Sequence, residues 1–501
     1  MIERPFPPGD YDVVVVGSGP GGLQMSYWLR RLGIRHAVLS ADDAPGGMFR
    51  KLPVFQRMLS WTKPEAPVKR RTREYERFDH NSLIAVEPDL QATAAEFMDR
   101  SFDLPSRAEM VQALAAFAGR AGIEVRYLCR WAGTRREDDR WVLETPDGDY
   151  RCRVVVLAVG MAEPWRPELP GIEAVPHYAD TRSPSDYAGS RLFIVGKQNS
   201  AFEIAQALLP WAQQLVLAGP GRVKSDLRAL SPLRVRYLQP YDEFVRGGYG
   251  TFILDAAIER IERHGEGYRI VTYSAGSQAS FVFEVDEVIA TTGFQAPLGD
   301  LPALGLATKA SGRLPVLKTF WESVSLPGIF FAGTVTQAER GLEKHGAFAG
   351  STGVSGFRYN ARILAEHLAS SVFGTEIVRR LLPTAGAVPY LLEEASHGPE
   401  LWIQKGYLAR VLGVDPAAGV RDEGILPLTY FVDDWLGDGV AMTIEHDPRG
   451  TIRPVLYVRQ RGVVTEHELP SHPLHDYSGE EHHREVADRV RLLLPPAEVA
   501  R

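Results

Sequence analysis

The chain has 501 residues, of which 45% are hydrophobic and 24% charged, a balance that supports a buried core. Its length allows about two to four domains, and a net charge of −7 argues against a nucleic-acid surface. Of its two cysteines, Cys129 and Cys152, neither stands in a C-x-x-C, which excludes a dithiol centre of that kind. Both sit in apolar, strand-like stretches and read as structural thiols. No apolar run approaches bilayer length, and the opening MIERPFPPGD has no apolar signal core. The expectation is a soluble protein in a reducing, cytoplasmic setting.

Residues 13–22 read VVVVGSGPGG, a hydrophobic strand running into a glycine-rich turn. Gly17, Gly19 and Gly22 make a complete G-x-G-x-x-G. A helix over 23–32 and a strand over 36–39 follow, which is the context a dinucleotide turn requires. Gly17 permits the tight turn, Gly19 lets backbone approach a pyrophosphate, and Gly22 lets the helix pack on the strand. Ser18 and Pro20 complete the turn. The helix N-terminus presents free N–H groups and a positive dipole end to the phosphates. An acid usually ends the second strand and binds the ribose, but Ser40 stands there. Ser40 itself, Asp42 or Asp43 supplies that contact, or both acids are solvated.

Residues 45–105 form a long irregular segment rich in Pro, Arg and aromatics, the kind of loop that is often functional. Its basic cluster, 69–73, is offset by Glu65, Glu74, Glu76 and Asp79 and reads as a solvated loop. Ser106 and Glu109 have capping-box spacing and start a helix. Residues 123–144 read as strands, and 154–159 as a buried parallel strand. The prolines after Gly160 suggest a hinge.

Residues 192–203, LFIVGKQNSAFE, repeat the strand–turn–helix pattern with Gly196, Lys197, Asn199 and Ser200. Gln198 replaces the middle glycine. Two nucleotide turns in one chain suggest a nicotinamide passing electrons to a flavin. Arg222 and Lys224 follow the next strand and could hold a 2′-phosphate, favouring NADPH over NADH, or form a solvated basic loop. The strings VIATTGF (288–294) and GIFFAG (328–333) echo the earlier strand ends, so the second unit is expected to be inserted into the first. A helix over 354–368 returns the chain to the first unit. Beyond 372 the pattern is mixed, with an Arg-rich helix near Val378 and strands over 440–445 and 453–459. His482 and His483 read as solvated helix residues, because the histidines around them match no metal spacing.

Together GSGPGG (17–22), PGGMF (45–49), LAVG (157–160), GKQNSAFE (196–203), ATTGF (290–294) and FFAG (330–333) resemble the two-dinucleotide-binding flavoproteins, on the flavin-containing monooxygenase side. FDHNSLI (78–84) and GVSGFRYNARIL (353–364) narrow the likeness to the FAD-dependent oxidoreductase domain-containing family. The resemblance implies an α/β fold. A Rossmann-like FAD-binding domain (1–170 and 291–371) would enclose a Rossmann-like NAD(P)H domain (171–290), and a mixed α/β region (372–501) would follow. It implies FAD held by Gly17, Ser18, Gly19, Pro20, Gly22, Ser40, Gly47, Met48, Ala158, Gly160, Gly333 and Gly353. It implies NADPH or NADH held by Gly196, Lys197, Asn199, Ser200 and Arg222. The helix opening at Gly353 would aim its N-terminus at the flavin N1–C2=O edge. Lys63 and Asn81, in the insertion that covers the flavin, and Lys344 are the catalytic candidates, whereas Arg358 reads as an anchor.

The family likeness has gaps. Gly171 and His177 are too far apart for the F-x-G-x-x-x-H fingerprint, where Leu169 stands in place of Phe, so His177 is a hinge or a loop histidine. Thr334 follows Gly333 where reductases have Asp. The implied reaction is oxygenation of a small molecule with NAD(P)H and O2 through a C4a-(hydro)peroxyflavin. The alternatives are an NAD(P)H:acceptor oxidoreductase or oxidase, and a non-catalytic flavin-binding protein. Self-association into a homo-oligomer stays open.

Overall fold

The computed structural model describes residues 4–51, 53, 57–221, 223, 250–337, 339, 341–342, 350–415, 419–447, 450–491 and 493. The chain opens with β1 (Gly9–Val16), α1 (Pro20–Arg31) and β2 (His36–Leu39). All four valines of β1 are buried, as in a strand covered on both faces. α1 begins three residues before the apolar pattern does, because Pro20 suits a first helical turn. Among the described residues of 40–106 there are only short 3₁₀ turns, at Gly47–Arg50, Glu74–Phe78 and Ala94–Glu96, and isolated bridges. The basic cluster there is not a solvated loop. Arg71 pairs with Glu96, and Arg73 reaches Glu394 and Glu400, more than 300 residues along the chain. α2 (Arg107–Arg120) carries the capping box of Ser106 and Glu109. The strands expected over 123–144 start only at β3 (Gly133–Glu137), followed by β4 (Arg140–Thr145), β5 (Gly148–Leu157) and β6 (Glu163–Pro164).

A second unit follows: β7 (Arg191–Val195), α3 (Asn199–Leu208), β8 (Gln214–Gly219), β9 (Thr251–Asp255), β10 (Ala257–His264), β11 (Gly267–Ser274), β12 (Ala279–Val285) and β13 (Glu287–Ala290). The parallel sheet runs β13-β7-β8-β9. Side chains alternate across it, as the two-residue period of a strand dictates. Leu192 and Ile194 pack on Phe202 and Ile204 of α3, whereas Phe193 and Val195 pack on Ile261, Ile270 and Val285 of the antiparallel β10-β11-β12 layer.

β14 (Phe294–Gln295) pairs antiparallel with β6, so the outgoing and returning links lie side by side. After the β15 (Thr308–Lys309) and β16 (Leu314–Pro315) hairpin, β17 (Ile329–Phe331) returns to the first sheet and α4 (Val354–His367) follows. That sheet runs β2-β1-β5-β4-β3. β5 lies parallel to β1 on one side. On the other it pairs with β4 along its first half, up to Cys152, and with β17 at Val155–Leu157. α4 packs on α1.

The remaining elements are β18 (Arg380–Leu382), α5 (Thr384–His397), α6 (Pro399–Ile403), β19 (Leu408–Asp415), β20 (Gly419–Pro427), β21 (Asp438–His446), β22 (Ile452–Gln460), β23 (Val463–Glu468) and α7 (Glu480–Val490). The sheet order is β18-β20-β19-β21-β22-β23. No helix forms near Val378, which is 91% exposed. Pro383 disfavours helix in the residue before it, and Leu381 and Leu382 pair with β20 instead. The apolar cores of this sheet and of the first sheet form one cluster, which runs from Val13 through Leu391 to Met442. Among the described residues no helix is long and apolar enough to cross a membrane, and no three potential metal ligands come together.

Candidate dinucleotide sites

The first glycine turn is a backbone-on-backbone contact. Gly17 has φ +118°, and a Cβ there would stand 2.4 Å from the Ala158 carbonyl oxygen, so the ends of β1 and β5 meet without side chains. A Cβ on Gly22 would stand 1.9 Å from the Gly17 oxygen, so the first turn of α1 rests on the turn itself. Gly21 abuts Gly333, and Gly19 abuts Gly47, which brings the three strings 17–22, 45–49 and 330–333 together. A Cβ on Gly19 would meet nothing nearer than 3.8 Å, so a ligand's phosphates can approach that backbone closely. α1 starts with no side-chain cap and no acid in its first turn, leaving its N–H groups to an anion. A dinucleotide pyrophosphate fits this cradle.

The Ser18 and Ser40 hydroxyls bond at 2.8 Å, and Ser40 Oγ also accepts the Asp42 N–H at 3.1 Å. Both serines are buried. Ser40 therefore ties the end of β2 to the glycine turn. Asp42 pairs with Lys51 at 2.7 Å, and Asp43 pairs with Arg50. Pro20 is the first helical residue of α1, Met48 lies half-buried in the 3₁₀ turn beside Gly19, and Gly160 follows the end of β5 in open space with φ +66°. Gly353 is the N-cap of α4, again without a side-chain cap or an acid in the first turn.

The second turn repeats the first with different fastenings. Gly196 has φ +120°, and a Cβ there would stand 2.6 Å from Thr291 Oγ1. Thr291 in turn donates to the Val195 oxygen at 2.8 Å. Lys197 is 3% exposed, and its ammonium donates to the Leu254 carbonyl at 3.0 Å and pairs with Asp255. Its side chain anchors the turn to the end of β9, a duty not foreseen from the sequence. Asn199 opens α3, and its Oδ1 is buried without a partner. That orphaned acceptor and the uncapped start of α3 fit a nucleotide carrying both hydroxyls and phosphates. Ser200 lies half-buried in the same turn. Arg222 lies outside the described residues, as does Lys344.

The long insertion is fastened to α4. Arg358 is fully buried and donates to the carbonyls of Asp79, Ser82 and Glu76 at 2.9–3.0 Å. It is an anchor, although its hydrogen-bond partners are three carbonyls and the Tyr359 hydroxyl rather than an acid. Tyr359 donates to Glu76 Oε2 at 2.8 Å, and burial pushes the Glu76 carboxyl upward. Asn81 is buried and donates through Nδ2 to the Ser60 carbonyl and to Thr62 Oγ1 at 2.9 and 3.0 Å. Those bonds give its amide a structural duty. Lys63 is exposed, with its ammonium 5.8 Å from the Phe78 ring centroid. His177 is fully buried between the links. Its Nδ1 accepts the Ala179 N–H at 3.2 Å and its Nε2 bonds the Gly293 carbonyl at 3.0 Å. Burial lowers its pKa, so the ring is a neutral fastener of the returning link.

Sequence reasoning missed Thr291, Asn360 and Gln404. Thr291 stands in the ATTGF string, so a hydroxyl beside the glycine turn was there to be read. Gln404 carries no local signal; its partners are Gly350, Gly356 and Asn360.

A family described as pyridine nucleotide-disulphide oxidoreductase matches residues 14–333. FAD-dependent oxidoreductase domain-containing protein 2 of Mus musculus is 28% identical over 396 residues, covering 71% of this chain and 58% of its own length. Ferredoxin–NADP reductase of Ignicoccus hospitalis is 24% identical over 352 residues, covering 70% of this chain and 97% of that protein. The solved flavin-containing monooxygenase from Stenotrophomonas maltophilia shares the fold, with a TM-score of 0.53 at 22% identity over 72% of this chain and 99% of that one. The chain belongs to the pyridine nucleotide-disulphide oxidoreductase family, for which FAD and NAD(P)H are the typical cofactors.

Proposed function

We propose that this chain is an FAD-dependent monooxygenase that takes electrons from NAD(P)H and oxygenates a small molecule with O2. The observation that carries the reading is the state of its thiols. The family name includes disulphide chemistry, yet Cys129 and Cys152 are both buried and unpaired. Burial raises both thiols, Cys152 to about 12, so neither is a ready nucleophile. The electrons then leave for an acceptor that needs no thiol among the described residues, and O2 is one. The fold shared with a flavin-containing monooxygenase supports the same reading.

On this reading residues 1–170 and 291–371 hold FAD, and residues 171–290 hold the nicotinamide. The amides at the start of α1 take the pyrophosphate, with Gly17, Ser18, Gly19, Pro20 and Gly22 forming the turn. Ser40 stands at the ribose end, Gly47 and Met48 cover one side, and Ala158, Gly160 and Gly333 line the strand ends. Gly353 and the first turn of α4 offer positive charge to the ring. Gly196, Asn199 and Ser200 receive the second nucleotide. When bound, the flavin supplies hydride acceptance and the reaction with oxygen. Arg358 and Asn81 hold the insertion in place so that it excludes water.

A second reading, electron transfer from NAD(P)H to another acceptor without oxygenation, is favoured by the match to nearly all of a ferredoxin–NADP reductase. The deciding experiment reduces the purified protein with NADPH without oxygen and then mixes it rapidly with aerated buffer. A transient whose spectrum differs from both oxidised and reduced flavin is expected. Direct reoxidation with stoichiometric peroxide, in the presence of a broad substrate panel, would sink the monooxygenase in favour of the second reading. A colourless protein that NADPH does not reduce would sink both.

A further inference from the structure

Residues beyond 333 lie outside the family match, yet the C-terminal region reaches the start of α4 through one side chain. Gln404 follows α6 and is 1% exposed. Its Oε1 accepts the Gly350 N–H at 3.0 Å. Its Nε2 donates to the Gly356 carbonyl at 3.0 Å and to Asn360 Oδ1 at 2.5 Å. Asn360 passes the chain on, donating from Nδ2 to Ser351 Oγ at 2.8 Å. A single amide thus ties the segment entering α4 to the first two turns of the helix. The fit leaves little slack, because a Cβ on Gly356 would stand 1.9 Å from the Gly350 oxygen and one on Gly350 would stand 3.2 Å from the Ile403 oxygen.

The field of a helix terminus falls off within its first turn. Small shifts of that turn therefore change the charge it offers. α4 has no acid and no side-chain cap there to dilute the effect. We infer that Gln404 is a positioning residue that sets the flavin reduction potential by fixing the N-terminus of α4, which makes the C-terminal region part of the flavin site. This rests on the flavin placement proposed above. A loosened helix start stabilises anionic reduced flavin less, so the potential falls.

The test compares three variants of the full-length holoprotein. Gln404→Met keeps the length and approximate volume of the side chain and removes all three bonds. Ser351→Ala removes only the far end of the chain. Thr443→Val removes an unrelated buried bond of the same region, Thr443 Oγ1 to the Leu408 carbonyl at 2.7 Å. The flavin midpoint potential is read against a reference dye, and Tm is read beside it. Gln404→Met is expected to shift the potential to more negative values, Ser351→Ala to do so by less, and Thr443→Val to lower Tm alone. A wild-type potential in Gln404→Met overturns the inference, as does an equal shift in Thr443→Val. Where Gln404→Met retains no flavin, an unshifted Ser351→Ala overturns it. A wild-type protein without flavin overturns the flavin placement itself, and the inference with it.

Discussion

At the scale of single residues, the first glycine turn separates two duties that its motif runs together. Gly22 is a packing glycine: a Cβ would sit 1.9 Å from the Gly17 oxygen, against backbone that cannot move alone. Gly19 has φ −72°, which any residue can adopt, and 3.8 Å of clearance to its nearest neighbour. Gly22→Ala is therefore expected to cost about 3 kcal/mol or more through overpacking, whereas Gly19→Val should fold with a near wild-type Tm and purify without flavin. NADPH binding by the Gly19→Val protein, followed by fluorescence, should persist. Stoichiometric flavin in Gly19→Val would mean that the flavin lies elsewhere. The packing duty of Gly22 was legible in the sequence because the oxygen it meets, that of Gly17, lies in the same turn. The anchoring duty of the Lys197 side chain was hidden for the opposite reason. Its partner Asp255 is 58 residues away, and a lysine next to a nucleotide turn looks the same whether it meets a phosphate or a strand end.

At the scale of elements, some regular pieces announced themselves, whereas α5, β19 and β20 did not. The valine run of β1, the Ser106–Glu109 box of α2 and the alternating strands of the last sheet are local patterns with local causes. The irregular insertion is held by charge instead, and charge pairing across distance leaves no period in a sequence. Glu96 shows how. It closes a 3₁₀ turn with Thr93 and accepts from Arg71 and Arg120 at 2.8 Å, joining the basic cluster to α2. Burial opposes its ionisation, but the bonds from Arg120 and Arg71 outweigh it and hold the carboxyl at about 2, against a usual 4.5. The folded value lies below the unfolded one. The stabilisation is thus complete above about pH 4.5 and is lost as pH falls through about 2. Glu96→Gln should cost on the order of 1–3 kcal/mol at pH 7, and less than half of that at pH 3. Urea midpoints of the two proteins at both pH values measure it, and a cost that does not change with pH would refute the assignment.

At the scale of the whole molecule, the two nucleotide units differ in how they are coupled to the rest. The β7–β13 unit keeps its own two apolar clusters, on either face of its sheet. The first sheet and the C-terminal sheet instead share one core, and a charge network built on two buried carboxylates and the partly exposed Arg73 crosses the same boundary. Glu400 is fully buried between Arg73 and Arg362, and Glu394 between Arg73 and Arg410, with contacts of 2.7–3.0 Å. The two arginines beside Glu400 outweigh its burial and hold its carboxyl far below the usual range. A shared core and shared ions mean that neither side can open without exposing charge the other has neutralised. Arg73→Met removes the guanidinium common to both carboxylates. The expected cost is about 2 kcal/mol, less than for a fully broken buried pair, because each carboxylate keeps one arginine. If the two sheets form one cooperative unit, that loss appears equally in the hydrogen-exchange protection of β5 and of β19, and leaves β7 and β8 unchanged. A fall confined to β19 would instead mean that the C-terminal sheet opens by itself, and Gln404 would then lack the fixed platform from which it could position α4.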